Sequence, residues 1–479
     1  MSEVTVRDGV LQLAGRPSLL LAGDYPYYRD EPRCWPGKLA AIRAAGLTTV
    51  SFYVPWRHHE LDGRFVFDGP GSRDLTGFLG AVADAGLFAL AKPGPHVHAE
   101  LPLGGLPDRL GPDQDSRLRP ARGPGGAPLR SHGRALPSLS DPAFAAEVDR
   151  WLAAAGDALK QWRFPNGPLV AVQAGNEGLY GETALALDEY DPDRELGPDL
   201  ARFADALGLD VPAFANLSPP APGRYAAWRA RGLPGHPHYG FTNWAGDTAT
   251  DDGALDRYLL AATRARGPNL EENWSLGWAY PGWCNPATPI FNGLLGLACG
   301  ATGLTVYTAC ATGIGEPHLV VPGVEAPYGA DAPIGTDATP GPAFAALRVL
   351  THFLAAEGVA LATATGTGPV AGVDLIDARR GPFHFLFNRS PEPRRVCSGP
   401  FTVRLAGYGV AVLRADGGRL LSAYCKGVDE RGGRHAPVEI EVAGSRLTTA
   451  GPCDLALVHR AGRPEIRHTG DPADEVIFA

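Results

Sequence analysis

Leu169-Val-Ala-Val-Gln-Ala-Gly-Asn-Glu177 is the stretch on which the fold turns. The run Leu169–Gln173 is apolar without the alternation of a half-wet strand, the mark of a parallel strand covered on both faces. A glycine, an amide and a carboxylate come directly after it. Upstream, Asp141-Pro142 reads as an N-cap with proline at the first helical position. It opens a helix to about Arg163, with Phe144, Val148, Trp151, Leu152 and Leu159 on one face.

The same alternation of strand and helix extends in both directions. Before it come a hairpin turning at Asp8-Gly9, a strand over Ser18–Gly23 and a helix over Pro36–Ala45. Strands at Thr48–Val54 and Phe88–Lys92 flank a helix at Leu75–Ala85. After it, strands are expected at Pro212–Ala215, Tyr239–Thr242, Asn269–Glu272 and Leu304–Thr308. Helices are expected at Asp199–Leu207, Leu255–Arg266, Ile290–Cys299 and Pro342–Ala356. About eight such units predict an α/β protein of the (β/α)8 TIM-barrel class rather than an open sheet. Residues 102–140, rich in Pro, Gly and Arg, form a long loop of the kind that usually carries function. From about Gly358 short strands replace the βα rhythm. The expected division is a barrel over residues 1–357 and a C-terminal all-β, sandwich-like domain over 358–479.

The 479 residues carry a formal charge of −9, with acidic and basic residues interspersed. Nucleic acid and anionic membrane are therefore not expected as partners. The N-terminus lacks the basic and apolar regions of a signal peptide, and no apolar stretch reads as long enough to span a bilayer. Seven cysteines, odd in number and without CxxC spacing, fit a reducing compartment, so a cytoplasmic location is expected. The oligomeric state is not legible.

Polar residues just past the strands are the candidates for chemistry, because a barrel's site lies at that end. They are Tyr53 to Trp56 with His58-His59-Glu60, the run Lys92 to Glu100, Asn176-Glu177, and Glu272-Asn273-Trp274. Two glutamates at strand ends can face each other across the barrel mouth. Glycoside hydrolysis needs such a pair, about 5–5.5 Å apart when configuration is retained. Asn176 can hydrogen-bond a sugar 2-OH, and Trp274, Trp278 and Trp283 offer aromatic faces to a pyranose. Each residue also has a plainer use. Glu177 and Asn176 can cap a turn, Glu100 can form a salt bridge, Tyr53 can pack the rim, and the tryptophans can be core. A different chemistry is a metal-dependent hydrolase using His96 and His98 with His58-His59.

Several motifs resemble glycoside hydrolase family 35, the β-galactosidase family. They are Gly23-Asp24-Tyr25 with Arg29 and Trp35, and Tyr53-Val-Pro-Trp56 with His59-Glu60. Lys92-Pro-Gly-Pro-His-Val-His-Ala-Glu100, continued by Gly104-Gly105-Leu106-Pro107, is the longest match. Val172-Gln173 with Asn176-Glu177, Glu272-Asn-Trp274 with Gly277-Trp278, and Asp331-Ala332-Pro333 complete it. The resemblance implies a retaining exo-β-glycosidase of β-galactosidase type, acting by double displacement on a small or oligosaccharide β-glycoside. It implies no cofactor and no metal. Glu177 would be the acid/base and Glu272 the nucleophile, with Tyr53, Ala99, Glu100 and Asn176 contacting a terminal β-galactosyl unit; Trp274 and Tyr328 are further candidates for the substrate. Departures are visible. One extra residue separates Glu272 from Gly277-Trp278, which keeps Glu271 as a rival nucleophile, and the sugar-contact motifs are incomplete. A catalytically silent carbohydrate-binding barrel is the alternative those departures raise.

Overall fold

Eight parallel strands close into a barrel: β1 (Leu20–Asp24), β2 (Thr49–Tyr53), β3 (Phe88–Gly94), β4 (Leu169–Ala174), β5 (Ala213–Leu217), β6 (Tyr239–Asn243), β7 (Asn269–Asn273) and β8 (Gly303–Tyr307). They pair in chain order, and β8 returns to β1. The computed structural model describes residues 3–177, 196–219, 238–324, 326–366, 370–371, 374–470 and 476–479. Around the barrel stand α1 (Trp35–Ala44), α2 (Leu75–Asp84), α3 (Pro142–Lys160), α4 (Leu196–Leu207), α5 (Asp252–Ala265), α6 (Ala287–Ala298) and α7 (Phe344–Thr363). The (β/α)8 expectation from the sequence holds. Gly178-Leu179, just past Glu177, lie outside the described residues.

Side-chain periodicity explains the layers. In α3, the carboxylate of Asp141 accepts the Ala143 N–H at 2.9 Å, and the predicted stripe from Phe144 to Leu159 is buried. Trp151 of that stripe stacks on Trp56 at 5.5 Å, and its indole N–H donates to the Pro93 carbonyl at 2.8 Å. This helix thereby fixes the end of β3, from which the functional loop departs. Inside the barrel, Leu20, Ala22, Leu90, Val170, Phe214 and Leu270 form an apolar floor with Val4 and Leu11 of the N-terminal hairpin. The floor closes one end of the barrel and leaves the other for a site.

The C-terminal region holds two antiparallel sheets, one of seven strands and one of five. Alternation divides the seven-stranded sheet between two cores. Phe385, Phe387, Val410, Val412, Ala456 and Val458 join the barrel's own core. Leu386, Ala411, Leu413, Leu455 and Leu457 face the five-stranded sheet. Phe387 meets Phe291 of α6 at 5.0 Å, and Tyr424 meets Phe353 of α7 at 6.1 Å. Helix α7 runs through position 357, where the rhythm of the sequence changes. By length and composition α7 could cross a bilayer, contrary to the reading that no apolar stretch is long enough. Its apolar residues have another use here: Leu347, Leu350, Phe353, Leu354 and Leu361 are fully buried in the core shared by barrel and sheet.

Replacing Trp151 by Ala removes a fully buried indole, its stack and its hydrogen bond. The expected loss is about 3–5 kcal/mol, measured as a shift in the urea unfolding midpoint.

Candidate active site

At the C-terminal ends of the strands lies a cavity of about 430 Å³. Its wall includes Ala99 and Glu100 after β3, Glu177 after β4, Thr242 and Trp244 from β6 and its loop, Glu271 and Asn273 of β7, and Tyr307 of β8. The loop after β7 adds Leu276, Trp278, Ala279 and Trp283. His98 and His132 close another side. A larger depression of about 720 Å³ near Glu3, Lys160 and Asp210 lies by the hairpin, at the opposite end from where barrel sites form.

Strand β7 decides which glutamate faces this cavity. Leu270 points inward, into the barrel floor. Regular alternation would then send Glu271 outward and Glu272 inward. The strand is not regular. Its pairing with β8 shifts between Asn269 and Glu272, and its pairing with β6 shifts between Phe241 and Thr242. Such a bulge adds one residue and re-aims the side chains beyond it. Glu271 therefore lines the cavity, while Glu272 is fully buried behind the sheet, between β7 and helices α5 and α6. The expectation that Glu272 faces the site is corrected on this point: Glu271, its rival, does.

The surroundings of Glu271 are charged and largely buried. Its Oε1 accepts from the Tyr53 hydroxyl and from Lys92 Nζ at 3.0 Å, and its Oε2 from Thr242 Oγ1 at 3.3 Å. Lys92 also binds Asp24 Oδ2 at 3.1 Å. Burial pulls the Lys92 ammonium down, but the Glu271 and Asp24 carboxylates push it up and win. Burial pushes the Asp24 carboxyl up to about 6 although Lys92 opposes it. Glu272 sits differently. Asn243 and Asn269 donate to it at 2.6 and 2.8 Å, Asn292 donates at 3.2 Å, and Tyr258 lies at 3.4 Å. Burial pushes its carboxyl up to about 8 against those hydrogen bonds.

Glu177 reaches the cavity through a left-handed backbone, φ +48°, with its N–H donated to Asn216 Oδ1 at 2.7 Å. Ala99, Glu100 and His132 also have positive φ, at +35°, +48° and +47°. L-residues rarely adopt this region, and clusters of them mark sites whose surroundings over-determine the backbone. One such determinant is Arg29, which donates to the Ala99 carbonyl at 3.0 Å and the Glu100 carbonyl at 3.3 Å. Gly277 answers a different need: a Cβ there would meet Cys284 Sγ at 1.9 Å and Asp331 Oδ2 at 2.9 Å, so a larger residue would displace both side chains.

Of the residues expected at a sugar, Ala99 and Glu100 line the cavity and four others do not. Tyr53 stands behind Glu271 as its hydrogen-bond donor. Asn176 is fully buried, and its Oδ1 accepts the His98 N–H at 2.7 Å, which ties the loops after β3 and β4 together. Tyr328 is buried behind Glu100 and donates to it, with Tyr307 Oη at 2.8 Å. Trp274 is 1% exposed and belongs to the core rather than to the cavity, because the register shift puts it on the opposite face from Glu271 and Asn273. The aromatic wall falls instead to Trp244, Trp278 and Trp283, with Trp278 57% exposed at the lip. Trp244, Tyr307, Thr242 and His132 are additions that sequence reasoning misses. The first three sit at or just past strand ends, a signal the sequence does carry. His132 arrives from the hairpin of Arg130–Ser131 with Arg134–Ala135, which no local pattern aims at the barrel.

The histidines do not gather around an ion. Among the described residues no three His, Cys, Asp or Glu side chains converge as metal ligands. His59 lies between the Tyr27 hydroxyl and the Val66 carbonyl, each at 2.7 Å, and His58 contacts Ser72 and His318 at 3.2 Å. Burial holds His59 down to about 4 and His96 to about 3, so both stay neutral. His96 is buried beside Phe144, while His98 faces the cavity.

With this geometry in place, comparison with known proteins is informative. The family model Glycosyl hydrolases family 35 matches residues 10–195. That stretch is less than half of the chain, and the likeness to the family is a likeness of that stretch. The match includes Glu177 and ends before β7. "Beta-galactosidase" of Mus musculus is 34% identical over 204 residues, which are 42% of this chain and 27% of that protein. "Beta-galactosidase" of Homo sapiens is 34% identical over 212 residues, 44% of this chain and 27% of that protein. "Exo-beta-D-glucosaminidase" of Thermococcus kodakarensis is 31% identical over 173 residues, 35% of this chain and 22% of that protein. The matches thus span about a quarter of these relatives. Among solved structures, a "Polyextremophilic Beta-galactosidase" from the haloarchaeon Halorubrum lacusprofundi aligns with a TM-score of 0.50 at 15% identity, covering 70% of this chain and 58% of that one. That likeness concerns the fold.

Lys92→Met leaves Asp24 and Glu271 buried together without their cation. The expected cost is about 3–5 kcal/mol at neutral pH. The folded variant holds a proton on Asp24 that the unfolded chain releases above about 4. Its stability is therefore recovered as pH falls and lost as pH rises through the raised value. Urea unfolding should show a larger deficit at about pH 8 than at about pH 5; equal deficits would contradict the shared buried charge.

Proposed function

We propose that the chain is a retaining exo-β-glycosidase, of β-galactosidase type, that cleaves a small or oligosaccharide β-glycoside by double displacement. The observation that carries this reading is one sugar-sized cavity whose wall brings together Glu177 from the end of β4 and Glu271 from β7, with Glu100 as a third carboxylate. In the first step Glu177 gives a proton to the glycosidic oxygen while Glu271 attacks the anomeric carbon and the leaving group departs as an alcohol. In the second, Glu177 takes a proton from water, the water oxygen bonds to the anomeric carbon, and Glu271 leaves as a carboxylate. Tyr53 and Lys92 hold Glu271 Oε1, so the attacking atom is Oε2, which accepts only the longer bond from Thr242 Oγ1 at 3.3 Å. Lys92 also stabilises the departing carboxylate of the second step. Trp244, Trp278 and Trp283 supply aromatic faces on which a pyranose can stack.

The relatives are named for two different sugars, galactose and glucosamine. A panel of aryl β-galactoside, glucoside, glucosaminide, fucoside and arabinoside would assign the sugar of this chain. Glu177→Gln and Glu271→Gln are each expected to lower kcat by at least about 10³-fold. Azide should restore turnover of Glu271→Gly and yield the α-glycosyl azide, while the wild type releases the β-anomer first by NMR. A chelator should leave activity unchanged. Full activity in both glutamine variants would overturn the reading.

A further inference from the structure

Glu272 is a carboxyl group with no exposed surface, directly beside a residue that faces the cavity, and the reaction above does not use it. A buried carboxylate without a cation is costly and persists only where hydrogen bonds satisfy it. Here the donors are built in. Three asparagine amides point their Nδ2 groups at it, and each amide is locked the right way round by a second bond on its oxygen. Asn243 Oδ1 accepts the Ala245 N–H at 3.0 Å, Asn292 Oδ1 accepts Thr248 Oγ1 at 2.6 Å, and Asn269 Oδ1 accepts the Glu271 N–H at 3.1 Å. The last bond matters most. It takes up the backbone N–H of Glu271 where the strand register shifts. The amide of Asn269 therefore joins the two glutamates: its oxygen holds the backbone of Glu271, and its nitrogen is held by Glu272 Oε2 at 2.8 Å.

We propose that Glu272 is a positioning residue, which through Asn269 fixes the β7 bulge and so aims the Glu271 carboxylate into the cavity. The proposal rests on the assignment of Glu271 as nucleophile. The cage is anchored from outside the barrel as well. Asn292 also donates to the Gly246 carbonyl at 3.0 Å, and the adjoining Asp247 pairs with Arg431 of the C-terminal region at 3.1 Å. Glu272→Gln keeps the shape but turns an NH2 group toward amides that can only donate, which frees Asn269 to rotate off the Glu271 N–H.

The test separates this proposal from the reading beneath it. Wild-type enzyme and Glu272→Gln are treated with an activated 2-deoxy-2-fluoro β-glycoside, and the labelled residue and labelling rate are read by peptide mass spectrometry. Label on Glu271, formed about ten- to a hundredfold more slowly in Glu272→Gln, is the expected result, with KM within about threefold of wild type and no rescue by azide. Label on Glu271 at the wild-type rate in the variant overturns the positioning role and leaves the nucleophile intact. Label on Glu272, or azide rescue of Glu272→Gly in place of Glu271→Gly, overturns the nucleophile assignment itself. If Glu272→Gln does not fold, Asn269→Ala, which deletes no charge, carries the same comparison. A double variant no slower than the slower single one supports a shared path, and additive losses refute it.

Discussion

Everything at the mouth of this barrel depends on one shift of register in β7. Side chains along a strand alternate faces, so a single added residue exchanges inside and outside for the rest of the strand. With the shift, Leu270 fills the floor and Glu271 lies just above it, beside Lys92. Without it, Glu272 would enter and lose three amide donors, while Glu271 would leave Lys92 facing Asp24 alone. The two faces of the strand are thus matched to the two carboxylates. One face offers a cation and a phenol; the other offers only neutral donors.

The inner face is organised by Lys92. Its ammonium touches Asp24 on β1 and Glu271 on β7 and lies 4.6 Å from the centre of the Tyr53 ring on β2. Four strands therefore converge on one buried nitrogen. Burial, and then the like charge of Glu271, raises the Asp24 carboxyl to about 6 against the pull of Lys92, so the ammonium is shared between a fully buried carboxylate and one at the cavity wall. A buried triad of this kind adds little net stability compared with apolar packing. Its worth lies in orientation, because one ammonium ties Asp24 and Glu271 to the same point.

Much of this is legible in the sequence. Continuous apolar runs announce strands covered on both faces, and Leu169–Gln173 with Asn176-Glu177 after it places Glu177 at the rim, where it lies. The motif from Lys92 to Glu100 places Ala99 and Glu100 there too. The failures share a cause. Glu272 and Trp274 emerge from counting along a strand, and counting assumes a parity that hydrogen-bond register, not residue type, decides. Tyr53, Asn176 and Tyr328, expected at the sugar, are found one step behind the cavity wall, holding Glu271, the His98 backbone and Glu100. Composition cannot separate a side chain that touches a ligand from one that supports it, since both need a polar tip in a buried place. His132 is out of reach for another reason: contacts between a hairpin tip and a barrel mouth are long-range in the chain and leave no periodic trace.

The change of rhythm near Gly358 suggests two independent parts, and the packing argues for closer coupling. One hydrophobic core runs from Leu39 and Phe78 under the barrel helices to Phe385 and Val458 in the seven-stranded sheet. Arg380, from that sheet, spends its guanidinium on the carbonyls of Leu297 and Ala301 at the end of α6, at 2.8 and 2.7 Å, and on Ala364 past the end of α7 at 3.1 Å. Cations are favoured at helix C-termini, and here one cation serves two. Arg431 reaches the loop after β6 through Asp247, and Arg389 reaches it through the Thr248 carbonyl and pairs with Asp252 at the start of α5. That loop carries Trp244 to the cavity and, through Thr248, holds Asn292 against Glu272. A sheet that never touches the cavity therefore helps to set both an aromatic wall and the cage behind β7. Removing it would expose the apolar faces of α6 and α7 and release the loop at the same time.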